Sequence, residues 1–436
     1  MEFDAVVIGA GAAGLSAART LAAHSLRVAV VEARDRVGGR AFTIPTPCAL
    51  TPAELGAEFI HGFGEATRKL LREDGSAAVD LDGEAWICGA NGRLEREEDD
   101  FTSAAAIFEA ADSLPQDESV ETFLRRFEGN DSQRRRAKAA RSFVEGFDAA
   151  EPAIASARAI AQEWRSGVDM RSARPIGGYA RMFERLRDIC EATGVSMRFS
   201  AIVRRIAWGR GAVTVEAIGE DGVPQALRGR AAIVTLPAGV LQEDAGLVFD
   251  PQLPAAKREA LEKIVSGDVV KVVLWFRTAF WEKAHNGRYR NAAFLRCLGA
   301  PFGVYWTQLP IRSELVVAWI GGPGATALRG VTPDELIARA RDGFGAMLGS
   351  VAEARAEFGA GFTHDWRDDP HARGAYSYVA VGGEGARETL ARPMDDTLFF
   401  AGEATSTDGQ GGTVNGALET GERAATELVR CLKRRS

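Results

Sequence analysis

Lys271 is the first residue whose surroundings call for chemistry. In VVKVVLWF, Val269 to Phe276, the alternate side chains of a strand point to opposite faces. Val270, Val272, Leu274 and Phe276 take one face; Val269, Lys271, Val273 and Trp275 take the other. Neither face reads as solvated, and an ammonium ion leaves water at a high cost unless it finds a partner. On this segment alone the stem would snorkel and carry its charge out to water. A second set of residues carries clearer chemistry. FDAVVIGAGAAGLSAARTL runs an apolar strand into Gly9, Gly11 and Gly14 and then an alanine-rich helix; RVAVVEARDRVGGR is a second apolar strand ending at Glu32. Glycines at that spacing allow a tight turn, close backbone approach to a pyrophosphate, and helix–strand contact. The helix N-terminus offers free N–H groups to phosphate. Glu32 stands eighteen residues beyond Gly14, placed to accept hydrogen bonds from a ribose.

These residues predict a dinucleotide-binding βαβ unit, without separating NAD from FAD. Arg34, Gly38, Gly39 and Arg40 add anion-binding groups beside the pyrophosphate site. The segment LFFAGEATSTDGQGGTVNGALETGERAATEL repeats the theme near the other end, as a strand over Leu398–Ala401, a glycine-rich loop with Gly402 and Glu403, and a helix from Val414. A second helix N-terminus suits a long cofactor extending past the pyrophosphate.

The elements that must position these groups imply more than one core. The chain has 436 residues, 46% hydrophobic and 26% charged, ordinary globular composition at a length that predicts two domains. The net charge of -7 argues against general affinity for nucleic acid. Cys48, Cys88, Cys190, Cys297 and Cys431 lie far apart without CxxC spacing, which predicts free thiols in a reducing compartment. MEFDAVVIGAG enters a strand at once and leaves no room for a signal peptide, and no apolar run reaches bilayer length. A cytoplasmic location is expected. MRFSAIVRRIAWGRGAVTVEA alternates like paired strands about a glycine turn, and RAAIVTLPAGVL is a strand stopped by Pro237. Helical periodicity dominates from about 100 to 193. Arg134–Arg136 and the acidic run Glu95–Asp100 read as solvated surface. The five histidines form no local metal pattern, and no GxxxxGK[ST], HExxH or GxSxG is present.

In order along the chain, VVIGAGAAGLSAA, VVEARDRVGGR, LGAEFIHG, VTLPAGVL, KVVLWFRTAFW, DPHARGAYSYVAVG and LFFAGEAT…GTVNGALETGERAA resemble the flavin-containing amine oxidase superfamily. That superfamily holds monoamine oxidases, polyamine oxidases and the catalytic domain of the flavin-dependent histone lysine demethylase. The likeness is nearest in feel to the polyamine oxidase and demethylase branch. The resemblance implies an α/β fold, α+β overall, with a discontinuous Rossmann-like FAD-binding domain (1–80, 195–250 and 390–436) and a substrate domain of mixed sheet and helices (81–194 and 251–389). It implies FAD contacts from Gly9, Gly11, Gly14, Glu32, Arg34, Gly39, Arg40, from Gly56, Ala57, Glu58 and Phe59 of the flavin-facing loop, from the Val203 backbone, and from Trp366, Gly402, Glu403, Thr413 and Val414.

Lys271 matches the family's lysine at the bottom of the substrate cavity, which contacts flavin N5 through a water. A flavin and one ordered water would then be its polar partners. Desolvation there favours the neutral amine, a group able to handle a proton. Tyr376 matches one wall of the aromatic pair that flanks the amine, Trp366 the tryptophan near the isoalloxazine, and Glu58 and His61 positions that can meet a distal charge on the substrate. The implied reaction is oxidation of a primary or secondary amine, polyamine-like, to an imine that water hydrolyses, with dioxygen as acceptor and hydrogen peroxide as product. Two positions depart from the monoamine oxidases. Ala375 replaces the cysteine that bonds to the flavin, so FAD should be held non-covalently. Thr413 replaces the second aromatic, so the pair is half open. A flavin desaturase or protoporphyrinogen-type oxidase, an L-amino acid oxidase, and a redox-silent FAD-bound scaffold stand as alternatives. The expected partners are a small amine and dioxygen, with no nucleic acid, no membrane span and no metal.

Overall fold

The computed structural model describes residues 2–46, 51–89, 92–97, 101–166, 171–242, 246–297 and 299–435. Two large sheets organise them. In the first, Ser196–Arg198, Val28–Val31, Phe3–Ile8, Pro224–Val234, Ala212–Ile218, Ile202–Gly209 and Val248–Asp250 lie side by side, and Leu398–Phe400 pairs with Pro224–Val234. Phe3–Ile8 is parallel to both its neighbours. Its run of apolar residues is explained by cover on both faces. Ala5 and Val7 pack with the helices Ala12–Ala23, Ala180–Ala192 and Val414–Arg435, while Val6 and Ile8 face a second core that includes Ala260, Leu261 and Leu390. The expected glycine turn joins Ile202–Gly209 to Ala212–Ile218 in antiparallel register.

The second sheet runs Phe358–Thr363, Val269–Phe276, Leu315–Gly321, Val304–Thr307, Ala292–Arg296, Glu84–Cys88 and Leu94–Glu97. Val270, Val272, Leu274 and Phe276 pack on the helix Pro333–Met347 through Leu336, Ala340 and Phe344. That helix starts where the sequence signals it: Thr332 caps it by accepting from Glu335 N, with Pro333 in the first turn. The other face, with Val273, Leu315 and Val317, packs on Ala53 and Leu55. Lys271 is on this inner face, between the two sheets. A block of helices that includes Asp131–Gly146 and Ala157–Arg165 closes over its own core of Phe108, Phe123 and Trp164. Arg134, Arg135 and Arg136 are exposed on it, as a solvated helix face. Of the acidic run, residues 98–100 lie outside the described residues, and Glu97 accepts from Arg296 Nε at 3.0 Å.

The cysteines correct one expectation. Cys88 and Cys297 form a disulfide with Cα atoms 4.9 Å apart. Ile87 and Arg296 are partners in parallel strands, so the residue after each meets the other, although 209 positions separate them. Register, invisible to sequence spacing, makes the pair. Cys190 and Cys431 are free and buried, and Cys48 lies outside the described residues. No helix among the described residues is long and apolar enough to cross a membrane, and those residues contain no grouping of three His, Cys, Asp or Glu suited to a metal ion.

Candidate active site

One cavity of about 1340 Å³ runs between the sheets. Every residue named from the sequence as a cofactor or substrate contact lines it except Gly14. At one end lies the glycine turn. Gly9 has φ +107°, and a Cβ on Gly14 would sit 1.9 Å from Gly9 O, so both positions exclude other residues. The helix Ala12–Ala23 begins after Gly11 with no side-chain cap, which leaves its first N–H groups available to an anion. Glu32 is fixed at its strand end by Ala10 N (2.6 Å) and Arg34 N (2.9 Å). Arg34 pairs with Asp369 at 2.7 Å, and His364 Nε2 meets the same carboxylate at 2.7 Å. Arg40 donates to Ala375 O and pairs with Glu403 at 3.0 Å. Both arginines expected to serve an anion therefore already hold carboxylates. Burial pushes the Glu403 carboxyl up, but Arg40 and Arg387 outweigh it and hold it below the usual range. Gly402, at φ +126°, and Val203 complete this end. Thr413 acts as a helix cap: its Oγ1 accepts from Gly416 N at 2.9 Å, which starts Val414–Arg435.

At the other end Lys271 is 2% exposed. Its Nζ donates to Glu58 Oε2 at 2.7 Å and to Gly56 O at 3.1 Å. The expectation of a neutral amine with only flavin and water for partners is thus replaced by an ion pair. Glu58 Oε1 accepts from Arg174 Nε (2.8 Å), Trp306 Nε1 (3.0 Å) and Gln308 Nε2 (3.3 Å), so its carboxylate is engaged by the protein and not left open for a distal charge. Burial raises the Glu58 carboxyl, but the charges of Lys271 and Arg174 outweigh it and bring it to about 2. His61 Nδ1 lies 3.2 Å from Ser172 Oγ, and burial lowers its ring to about 4. Tyr376 donates its hydroxyl to Phe147 O, Trp366 donates Nε1 to Leu55 O at 2.9 Å, and Ala375 presents no thiol. Phe59 packs against Trp306 with ring centroids 5.3 Å apart.

Among characterised sequences, the family described as flavin containing amine oxidoreductase matches residues 85–429, and an NAD(P)-binding Rossmann-like domain matches residues 7–73. The chain belongs to the flavin-containing amine oxidoreductase family. Lysine-specific histone demethylase 1 homolog 1 of Oryza sativa subsp. japonica is 27% identical over 99% of this chain, which spans 53% of that relative. Polyamine oxidase 4 of the same organism is 28% identical over 98% of this chain and 88% of its own length. The chain spans about half the length of that demethylase homologue and most of that polyamine oxidase. Two solved structures share the fold: putrescine oxidase, wild type bound to putrescine, with TM-score 0.81, 22% identity and 99% of each chain covered, and cyclohexylamine oxidase from Brevibacterium oxydans, with TM-score 0.82, 22% identity and both chains covered in full.

The family's FAD fits what this chain presents. The cavity exceeds the roughly 300–1,000 Å³ of ordinary small-molecule sites. It joins the glycine turn and the uncapped N-terminus of Ala12–Ala23 to an apolar chamber, room for an extended dinucleotide with a substrate beyond it. Three residues of that chamber, Trp306, Trp319 and Phe147, escaped the sequence reading, as did Arg174 behind Glu58. Trp319 is the register partner of Lys271 and donates Nε1 to Gly146 O at 2.6 Å, at the end of the helix Asp131–Gly146. Tyr376 reaches the next carbonyl, so two rings from the second sheet and its neighbour anchor the helix end over the chamber.

Glu54 was also missed. It is buried, accepts from Tyr179 N (2.6 Å) and Thr43 Oγ1 (2.9 Å), and burial raises its carboxyl to about 7 despite that backbone hydrogen bond and the charge of Lys271. Its folded pKa stands above the unfolded value, so the stability it contributes is full below about 4.5 and is lost as pH rises through 7. Glu58, four residues on, runs the opposite way: its contribution is full above 4.5 and is lost as pH falls toward 2. Glu54→Gln should therefore gain on wild type by about 2–3 kcal/mol between pH 5 and pH 8. Urea midpoints at the two pH values check this, and a difference independent of pH would contradict it.

Proposed function

We propose that this chain is an FAD-dependent amine oxidase acting on a primary or secondary amine, polyamine-like, with dioxygen as electron acceptor. One observation carries the reading: a buried lysine forms part of the wall of an aromatic chamber that is continuous with a dinucleotide cradle. FAD, when bound, supplies the acceptor for the hydride equivalent leaving the amine's α-carbon. Gly9, Gly11 and the helix after them would hold its pyrophosphate, Glu32 its ribose, and Gly402 and Val414 the part beyond. The chain's own residues do the rest by position. Trp306, Trp319, Tyr376 and Phe147 exclude water and offer π faces that accept an amine, charged or neutral. His61, lowered to about 4 by burial, is uncharged at neutral pH and does not repel a cationic substrate. The imine released is hydrolysed by water to an aldehyde. The names of relatives that act on polyamines and putrescine support the substrate class.

Anaerobic mixing of the yellow protein with spermine, spermidine, putrescine, cyclohexylamine, arylalkylamines and L-amino acids tests the proposal. Rapid bleaching by an amine group is expected. Intact FAD untouched by every member would overturn it in favour of a desaturase or a redox-silent scaffold. The alanine at 375 adds a second expectation: trichloroacetic acid should release all the flavin into the supernatant, and flavin left in the pellet would refute non-covalent binding.

A further inference from the structure

Lysine carries three N–H donors, and protein acceptors take two of those on Lys271, Gly56 O at 3.1 Å and Glu58 Oε2 at 2.7 Å. The third has no acceptor among the described residues, and Lys271 borders the cavity. What fixes this arrangement lies behind Glu58. Arg174 holds Glu58 Oε1 and is itself pinned, with Nη1 on Leu309 O at 3.0 Å, Nη2 on Thr307 O at 2.9 Å, and its guanidinium 4.8 Å from the centre of the Phe59 ring. Side-chain exposures are 2% for Lys271, 5% for Glu58 and 7% for Arg174. Three segments thus converge on the carboxylate carried by the loop after Ala53–Glu54: the strand Ser172–Pro175, the strand Val304–Thr307 with the residue after it, and the strand of Lys271. A buried charge stripped of every partner is left uncompensated, and Glu58 has two cationic partners, Lys271 and Arg174.

The geometry points to Glu58 as the positioning residue of this site: anchored by Arg174, it holds Lys271 as a fixed cation that aims one N–H into the chamber and has no lone pair with which to take a proton. Lys271 then orients and polarises what binds beside it, and the amine must arrive neutral or lose its proton to solvent. This differs from a lysine poised as a base. It rests on the amine oxidase reading only for its kinetic consequence.

Two measurements test it on the FAD-loaded protein. In the first, acetic anhydride labels lysines in proportion to their free lone pairs, and peptide mass spectrometry reads each site. Lys271 should resist while exposed Lys69 and Lys138 react; in Glu58→Gln, with the cavity otherwise unchanged, Lys271 should label at least about tenfold faster. In the second, putrescine reduces the flavin anaerobically. Glu58→Gln and Lys271→Met should each lower the limiting rate by about 100-fold, with the concentration for half-maximal rate moved less than about threefold. The double variant should lose no more than either single one, since both act through the same N–H. Should Glu58→Gln fail to fold, Glu58→Asp keeps the charge and withdraws it by one methylene, and the same labelling and coupling are read on it. Equal labelling of Lys271 with and without Glu58, or losses that multiply in the double variant, would overturn the inference. If no amine reduces the flavin, the oxidase reading falls and the labelling still decides Glu58.

Discussion

Gly14→Ala should yield a colourless protein, purified without FAD and melting well below wild type. The added Cβ would lie 1.9 Å from Gly9 O, 2.9 Å from Gly9 C and 3.1 Å from Thr235 Oγ1. Two of those three atoms are backbone, and the turn cannot yield freely: Thr235 Oγ1 is tied to Ile8 O at 2.7 Å and Gly9 N to Val31 O at 2.8 Å. Overpacking of this kind costs about 1–3 kcal/mol where side chains can adjust, and more where backbone meets backbone. The helix must back away from the strand, carrying its N-terminal N–H groups off the pyrophosphate position. Loss of bound FAD then removes the ligand's own stabilisation as well. Gly11→Ala is the contrast, because its Cβ would meet nothing nearer than Gly39 Cα at 3.9 Å. That variant should fold normally and weaken FAD solely by crowding the phosphate. The 450 nm to 280 nm absorbance ratio and the melting temperature of both proteins decide the matter. A stoichiometrically yellow Gly14→Ala protein with an unchanged melting point would mean that the turn relaxes more cheaply than its contacts allow.

Lys271→Met should keep the fold and the flavin while slowing flavin reduction by about 100-fold. Methionine fills the volume of the lysine stem, and Glu58 keeps Arg174 at 2.8 Å and Trp306 at 3.0 Å, so no buried carboxylate is stranded. What disappears is the one N–H offered to the chamber. Stopped-flow reduction by putrescine at fixed pH, followed by reoxidation with dioxygen, separates the two half-reactions. Wild-type rates in both would remove Lys271 from the chemistry altogether.

The dinucleotide end was legible because its signals are local. Gly9, Gly11, Gly14 and Glu32 lie within one strand–helix–strand run, and the helix from Val414 announces itself by periodicity. The lysine was legible as an anomaly, since a charge in VVKVVLWF breaks the pattern around it. Its partner was not. Glu58 is in a quoted loop, yet its ligands come from residues 116, 213, 248 and 250 positions away, and a polar residue alone does not say which other polar residue it will meet. Arg174 sits between Ala173 and Pro175 without any local mark. The disulfide was hidden for the same reason, set by the register of two parallel strands. Thr413 was read for the ring it lacks, whereas its local role, capping the last helix, is the kind a threonine before a helix commonly plays.

The first helix, Ala12–Ala23, is packed by the last one, Val414–Arg435: a Cβ on Gly421 would lie 2.2 Å from Ala13 O, and Ser16 Oγ donates to Leu418 O at 2.7 Å. On the ribosome this means a long wait. At about 5–20 residues per second, roughly 20–80 s separate the synthesis of Glu32 from completion of Val414–Arg435, during which the glycine turn exists without its lid and the first helix shows its apolar side. The cradle can be synthesised early but can close on a flavin only once Val414–Arg435 has been made. Closure of the cradle therefore waits on a segment made about 380 residues after it, and FAD, by binding the closed form, favours that docking by mass action.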